Sequence, residues 1–572
     1  MAATKTTLQK EKQMIKVWLN EIQFSDDSKI LIEENDIVVL VGPNNSGKSA
    51  TLKETAQMLQ QKNNSGKVVK DISFEKSSDK DQLISFLNEF SQKIIDTNPL
   101  PTYQGFGFYI YESAAQSYWD NSTNGLFDLV SIFVNSLSTE KRLSAANPPQ
   151  SIKTTSEPPK HPIHFLQKND SLEQKFNNYF KQAFGADLIV HRNAGKEVPL
   201  YVGKKPIPKE GEDRVSEGYL KKLEKLDLLH QQGDGMRSFV GVLLNAFISN
   251  HSILFIDEPE AFLHPPQARL LGKMIAKDLP SERQLFLATH SEDFLKGLLD
   301  SNIQNLKIIR IQRKDSINEV SVLNSLDINE IWSDSLLRHS NVLGGLFHSK
   351  VVICESDSDC RFFSAILSSL YDDLGAIAPD VLFIHCGGKH RVPTVIKALK
   401  KLNVPMSIVT DFDVLNNINP IKTIYENLGG TWDEVVNDWT LVKTEIERKR
   451  PEFLTDDLKD KIKGVFDSTS DRIFPKEKIS EINRALKKAS PWTEAKQVGK
   501  AYIPSGNATQ AFERIQIKFK EKGFHILEVG ELECFDKSIG NHGPKWVNEV
   551  LTKDLKTDSE LENARKFVNE II

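Results

Sequence analysis

The sequence predicts an α/β protein built as two successive parts, and three observations carry that prediction. An apolar strand, Ile37-Val-Val-Leu-Val41, runs into a glycine-bearing loop and then a helical stretch from Ser49 to Gln61. Two more buried-strand signals, Ile253–Ile256 and Gln284–Ala288, follow with helical periods between them. After about residue 345 the alternation starts afresh: strand Val351–Cys354, a helix from Cys360, strand Val381–His385, a helix from Val392 and strand Met406–Val409. Short apolar runs separated by helical periods are the pattern of layered α/β domains.

The 572 residues suggest two to four domains, at roughly 150 residues each. A 39% hydrophobic and 26% charged composition supplies enough apolar surface for cores, which excludes disordered, collagenous and low-complexity classes. The net charge of −5 provides no global field for nucleic acid, so such a partner would have to meet local basic surface or metal ions. No apolar run approaches the ~18 residues of a membrane span. The opening MAATKTTLQKEKQMIK has no apolar core of a secretory leader. The 4 cysteines form no C-x-x-C pair, which argues against a disulfide framework or zinc finger and for a reducing, cytoplasmic setting.

The stretch between the first two strand signals is irregular. Residues 62–90 are polar, residues 145–170 carry Asn-Pro-Pro, Glu-Pro-Pro and Lys-His-Pro, and residues 203–227 mix Lys, Glu and Asp. This predicts a modest insertion, helical or dimerising, over about 62–230 on the first domain. Beyond Ala288, Lys307–Ile311 and Val320–Leu323 read as a hairpin around Lys314-Asp315-Ser316, followed by a helix over Ile328–Arg338. The predicted domains are therefore 1–345 and 346–572.

Two constellations carry chemistry. The first is Gly42-Pro43-Asn44-Asn45-Ser46-Gly47-Lys48-Ser49, which fits G-x-x-x-x-G-K-[ST] between a strand and a helix. Its glycines let backbone N–H groups wrap around phosphates, and the helix adds its positive end. Lys48 reaches the β/γ-phosphates and Ser49 offers a hydroxyl to Mg²⁺. Strand Ile253–Ile256 ends in Asp257 and Glu258, suited to hold that Mg²⁺ and to polarise an attacking water. His290, in Ala288-Thr-His-Ser291, stands at a strand end from which it can contact the γ-phosphate. An Asp-Glu pair after a strand also serves as an ordinary helix cap.

The second constellation is acidic. Strand Val351–Cys354 runs into Glu355, then Ser356-Asp357-Ser358-Asp359, and strand Met406–Val409 runs into Asp411-Phe-Asp413. Carboxylates at the carboxyl ends of adjacent parallel strands converge on one sheet edge. Hard oxygen ligands grouped this way suit Mg²⁺ or Mn²⁺, with Ca²⁺ as a further option. Two such ions about 4 Å apart clamp the attacking and leaving oxygens of a phosphodiester. For Asp357 and Asp359 singly, helix capping explains the residues equally well.

The pieces GPNNSGKS, ILFIDEPEAFLHP and ATHS resemble the ABC-type ATPases, in the branch of the structural-maintenance and DNA-repair proteins. That resemblance implies ATP, and two heads sandwiching it, hence a homodimer or higher oligomer. The segment matching the family's signature, Gly233-Asp-Gly-Met-Arg-Ser238, departs from the usual serine-glycine-glycine form at Asp234. The interval from Lys48 to Asp257 is long for a bare head and far too short for coiled-coil arms.

The later half is similar to the Toprim fold, whose Glu and Asp-x-Asp fall on Glu355, Asp411 and Asp413. Ser356 replaces the usual glycine, Asp359 matches the further aspartate, and His385-Cys-Gly-Gly-Lys389 supplies a small-residue turn. An ABC-type head followed by Toprim resembles the overcoming-lysogenization-defect (OLD) nucleases, a family that includes the nuclease subunit of the Gabija defence system and retron-associated effectors. The joining segment Leu336–Lys350 has the same look. The resemblance implies a further metal ligand at Glu533, less firmly Glu531, from the Gly-Glu-Leu-Glu element. It also implies a lysine near the scissile phosphate, with Lys545 the first choice and Lys537 the second.

Two function classes follow. One is an ATP-regulated, metal-dependent endonuclease acting in antiphage defence, most simply on DNA. In it Glu355, Asp359, Asp411, Asp413, Lys545 and Glu258 are catalytic, and Ser49, Asp257, Glu355, Asp411, Asp413 and Glu533 bind metal. The other is an ATPase effector or scaffold triggered by a partner such as a helicase, a toxin, or a retron reverse transcriptase with its DNA, with a Toprim domain that is silent alone or acts on RNA. A topoisomerase or primase reading lacks a motif that nominates an active-site tyrosine. Basic segments Lys443–Arg450 and Arg484–Lys488 are open to phosphate contact or to plain solvation.

Overall fold

The computed structural model describes residues 15–62, 66–94, 101–105, 107–315, 317–323, 325–338, 341–372, 377–387, 391–449, 455–487 and 491–572. Of the segments named above, residues 1–14, 63–65, 95–100 and 106, and Ser316, His339, Ser340, Gly388, Lys389, Arg450 and Lys488 lie outside the described residues. The chain divides into two compact units, Met1–Arg338 and His339–Ile572. No helix among the described residues is long and apolar enough to cross a membrane.

The first unit is organised by a six-stranded sheet. Its order is Ile317–Leu323, Leu306–Lys314, Ile37–Val41, Gln284–Ala288, Ile253–Asp257 and Val134–Leu137. All neighbours run parallel except the hairpin Leu306–Lys314 with Ile317–Leu323, which closes one edge. The strand Ile37–Val41 is buried along its whole length, as expected for a central parallel strand covered on both faces. Its position puts the glycine loop at the carboxyl edge, beside the ends of Gln284–Ala288 and Ile253–Asp257. The helix after the loop spans Lys48–Gln60.

The stretch 62–230 is not one helical insertion. Val69–Lys76 pairs antiparallel with Val17–Phe24, and Val134–Leu137 joins the main sheet beside Ile253–Asp257. The chain therefore returns twice to the head between its excursions. Short strands such as Val134–Leu137, with polar Asn135 and Ser136 inside, lack the apolar run that announces a sheet strand. The excursions are mixed, containing the three-stranded sheets Gln92–Ile94/Thr102–Gly105/Phe108–Tyr111 and Asp187–Val190/Leu200–Gly203/Asp227–Leu228. The expected helix Ile328–Arg338 is broken into Ser325–Ser333 and Ser335–Arg338.

The second excursion is pinned by one carboxylate. Glu173, buried on helix Asp170–Phe184, accepts from Arg214 at 2.7 and 2.6 Å, from Arg192 at 2.8 Å and from the Val190 amide at 3.2 Å. Burial alone would raise its pKa, but the two guanidinium groups and the amide outweigh burial and hold it below the ordinary value.

The second unit is built on four parallel strands in the order Val381–His385, Lys350–Cys354, Met406–Thr410 and Phe524–Ile526. Helix Asp357–Tyr371 and the terminal helix Glu562–Ile571 pack with Trp546 and Phe535 in a core on this sheet. Buried Cys354, Cys360 and Cys386 are free thiols, and burial pushes the Cys386 thiol up to about 12, which marks it as an inert packing residue. Between the third and fourth strands lie helices Ile418–Asn427, Val436–Arg448, Thr455–Asp467, Lys476–Lys487, Pro491–Val498 and Asn507–Lys520.

Replacing Arg214 with Ala should destabilise the first unit by roughly 3 kcal/mol, the cost of stripping a partner from a buried ion pair. Because the folded pKa of Glu173 is depressed, its contribution is present above the unfolded value of about 4.3 and is lost as pH falls through the folded value. The stability gap between wild type and R214A, measured by urea unfolding, should therefore shrink on acidification.

Candidate functional site: a phosphate loop and an acidic strand edge

Each unit gathers polar side chains at the carboxyl edge of its sheet. In the first unit the loop Gly42–Gly47 turns back on itself through positive φ at Gly42, Asn45 and Gly47. A side chain at Gly42 would put its Cβ 2.0 Å from the Ile311 carbonyl, so the close approach of the neighbouring strand demands glycine. Lys48 Nζ donates to the carbonyls of Gly42 (2.7 Å) and Pro43 (2.8 Å), folding over the loop it must serve. Asn318, on the edge hairpin, donates to the Ser46 carbonyl at 2.5 Å and so buttresses the loop from outside.

Ser49 Oγ donates to Asp257 Oδ1 at 3.0 Å, bringing the two oxygens expected to share a cation into contact. Burial first, then Glu258, raises the pKa of Asp257 despite the Ser49 hydroxyl and Arg142. Glu258 has φ of 48°, a left-handed conformation that a non-glycine residue adopts only when its surroundings impose it. Arg142, fully buried, imposes it: Nη1 donates to the carbonyls of Asp257 and Glu258, both at 2.7 Å. His290 Nε2 lies 3.8 Å from Glu258 Oε1, and burial followed by the Lys48 charge lowers its pKa, favouring the neutral ring. The segment from Gly233 begins helix Asp234–Phe247, where Asp234 pairs with Arg237 at 3.0 Å. A Cβ at Gly235 would meet the Phe262 carbonyl at 2.7 Å.

In the second unit Glu355, Asp411 and Asp413 follow adjacent parallel strands and offer ligand atoms all within 4.8 Å of one another. The Asp411 amide donates to Glu355 Oε1 at 3.2 Å. The fourth strand ends in a loop that brings Glu531, Glu533 and His542 into a second such group. Asp359 lies beside them in a capping box: its Oδ2 accepts from the Ser356 amide at 2.7 Å. Burial, then Asp411, pushes its carboxyl up to about 6. Burial also raises Asp411 and Glu531, with Asp413 and Glu533 adding repulsion.

The cation set against these acids is Lys496, on helix Pro491–Val498. Its Nζ is 2.9 Å from Asp411 Oδ2 and 3.5 Å from Glu531 Oε2. Burial alone would lower its pKa, but Asp411, Asp413 and Glu531 outweigh burial and raise it. Lys545 and Lys537, the lysines named from the sequence, are exposed and form no ion pair among the described residues. No motif marks Lys496, because only the fold of the long helical segment carries it back to the sheet edge. Two glycines permit that approach. A Cβ at Gly499 would meet the Glu528 carbonyl at 2.1 Å, and one at Gly530 the Lys496 carbonyl at 2.2 Å. Gly530 in turn accepts from the Phe412 amide at 2.8 Å, tying the Asp411–Asp413 turn to the Glu531 loop.

The donor set fits a hard divalent cation. It consists of carboxylate oxygens, clustered and partly buried, with net negative charge that one lysine does not neutralise.

Comparisons with known proteins agree with this division. Residues 37–295 match the family described as "AAA domain, putative AbiEii toxin, Type IV TA system". Residues 346–413 match the family described as "Overcoming lysogenization defect protein-like, TOPRIM domain". The chain thus carries an ATPase domain followed by a Toprim domain similar to that of the OLD proteins. A curated relative is the Old nuclease of Escherichia phage P2, 25% identical over 175 residues. That alignment covers 30% of the chain and 29% of the phage protein, less than a third of either. Among solved structures, an Smc head bound to the C-winged helix domain of ScpA is 12% identical, with TM-score 0.31 over 54% of this chain and 98% of that one. The SMC head of Thermotoga maritima is also 12% identical, with TM-score 0.27 over 54% of this chain and 99% of its own. In the present chain the ATPase domain implies nucleotide binding, and the Toprim domain implies use of a divalent metal.

Replacing Gly530 with Ala should displace helix Pro491–Val498 or the Glu531 loop, because its φ is 120° and the clash is with backbone. A loss of about 2 kcal/mol or more in the second unit is expected, read as a lowered melting temperature.

Proposed function

We propose that the chain is an ATP-regulated, divalent-metal-dependent endonuclease that cuts nucleic-acid phosphodiesters, DNA in the first instance. The observation that carries this reading is the meeting of Glu355, Asp411 and Asp413 within 4.8 Å, with Lys496 against Asp411. Glu355, Asp411, Asp413 and, from the neighbouring loop, Glu533 would hold divalent cations, which would supply charge neutralisation and Lewis-acid activation at a phosphodiester.

The remaining work falls to the chain itself. Lys496 presents an ammonium where negative charge develops on the phosphate, in a setting too crowded with acid for it to lose its proton. Asp359, held in its capping box, fixes the turn after Glu355 and keeps the first helix in register with the strand end. In the head, Gly42–Ser49 and Asp257 cradle Mg-ATP, Glu258 orients the hydrolytic water, and His290 contacts the γ-phosphate. The nucleotide serves as the gate for cleavage. Homodimerisation through the heads and a role in antiphage defence, both implied by the family resemblance, belong to the same reading, as does a cytoplasmic setting.

The test is cleavage of plasmid DNA and of RNA by the purified chain in Mg²⁺ or Mn²⁺, with and without ATP. E355A and D411A should each lower cleavage at least about 100-fold while keeping the wild-type fold by circular dichroism. K496A should do so as well, and K545A should stay near wild type. Chelation of divalent cations should abolish cutting in the wild type. Undiminished cutting by both E355A and D411A would end the nuclease reading.

A further inference from the structure

The turn after strand Ile253–Asp257 and the turn after strand Gln284–Ala288 are joined by a side chain that the reading above leaves without a task. Glu260 Oε1 accepts two hydrogen bonds, from Thr289 Oγ1 at 2.7 Å and from the His290 amide at 3.0 Å. Thr289 is fully buried, and its hydroxyl oxygen also accepts from the Ser291 amide at 3.0 Å. Ser291 caps helix Glu292–Leu299 by accepting from the Phe294 amide at 3.1 Å. Glu260 Oε2 is shut away from solvent and has no hydrogen-bond partner among the described residues, so the hydrogen bonds of this side chain are those made through Oε1.

The other end of the connection is equally rigid. Glu260 follows Glu258 by two residues, and Glu258 is gripped through its amide by the Ala288 carbonyl at 2.8 Å and through its carbonyl by Arg142. The Ala261 amide returns to the Glu258 carbonyl at 3.0 Å, closing the turn that carries Glu260. Glu258, assigned to the hydrolytic water, and His290, assigned to the γ-phosphate, thus sit on neighbouring strand ends that are joined by the Glu258 amide–Ala288 carbonyl bond, and beyond Ala288 the Thr289–His290 peptide is held to the first turn by Glu260 Oε1. Their side chains face each other at 3.8 Å.

We propose that Glu260 is a positioning residue for ATP hydrolysis, fixing the Thr289–His290 peptide so that the His290 ring and the Glu258 carboxylate converge on one phosphate. It need not touch nucleotide, because it acts through His290. This inference rests on the reading of the head as an ATPase. A positioning contact of this kind changes turnover more than ground-state binding, since a displacement of about 1 Å at a reacting group costs on the order of 100-fold in rate.

The experiment is steady-state ATP hydrolysis by the full chain with Mg²⁺, alongside nucleotide affinity by titration with a fluorescent ATP analogue. E260A should lower kcat roughly 10- to 100-fold and leave KM and analogue affinity within about 3-fold of wild type. E260Q, whose amide oxygen can still accept both bonds, should restore most of the turnover. T289V, which nearly keeps the volume and removes the donor to Glu260 together with the acceptor of the Ser291 amide, should lie between them and serves if E260A does not fold. In an H290A background E260A should cause no further loss, the signature of one residue acting through another. Wild-type kcat in E260A, or an equal loss with and without His290, overturns the proposal while leaving the ATPase reading intact. Turnover in the wild type no higher than in K48A overturns both.

Discussion

Like charges crowd the carboxyl edge of the second unit's sheet. Parallel strands Lys350–Cys354, Met406–Thr410 and Phe524–Ile526 all end at one edge, and each delivers carboxylates there. In water such groups would separate, but the sheet fixes their backbones, and burial denies them the solvent that would screen them. The structure meets this with one long side chain. Lys496 reaches in from a helix far along the sequence, and the paired glycines Gly499 and Gly530 strip away the Cβ atoms that would keep that helix at a distance. An edge assembled in this way is poised for cations more highly charged than an ammonium.

The first unit treats the same geometry differently. There the sheet edge carries a phosphate cradle instead of a carboxylate cluster, and its backbone N–H groups favour an anion. The acids Asp257 and Glu258 stand beside that cradle, and one buried guanidinium, Arg142, absorbs their backbone carbonyls. Both units thus use the carboxyl ends of parallel strands, one to receive negative charge and the other to present it.

Much of this was legible in the residues. Parallel strands buried on both faces read as unbroken apolar runs, so Ile37–Val41, Ile253–Asp257 and Lys350–Cys354 stood out, and the polar residues just after them were the natural ones to inspect. Local spacing named the phosphate loop, because its chemistry is contiguous in sequence. What depends on distant segments was hidden. Val134–Leu137 has polar residues inside a short strand, so its place in the main sheet did not show. Lys496 sits in an ordinary charged helix, and nothing around it distinguishes it from other lysines. Arg142 and Glu260 were equally silent, because a buried ion declares itself only through what surrounds it.

The order in which the second sheet is laid down has a further consequence. Glu355, Asp411 and Asp413 follow its first and third strands in chain order, whereas Lys496 comes late in the long helical excursion and Glu531 and Glu533 come only after Phe524–Ile526. Closing so wide a loop is the slow step in assembling such a topology. A chain still emerging from the ribosome therefore holds only half of the acidic cluster and lacks its counter-charge. The acidic edge of the second unit is therefore completed only when the segment carrying Phe524–Ile526 docks on the earlier strands, so its charge is gathered late in folding.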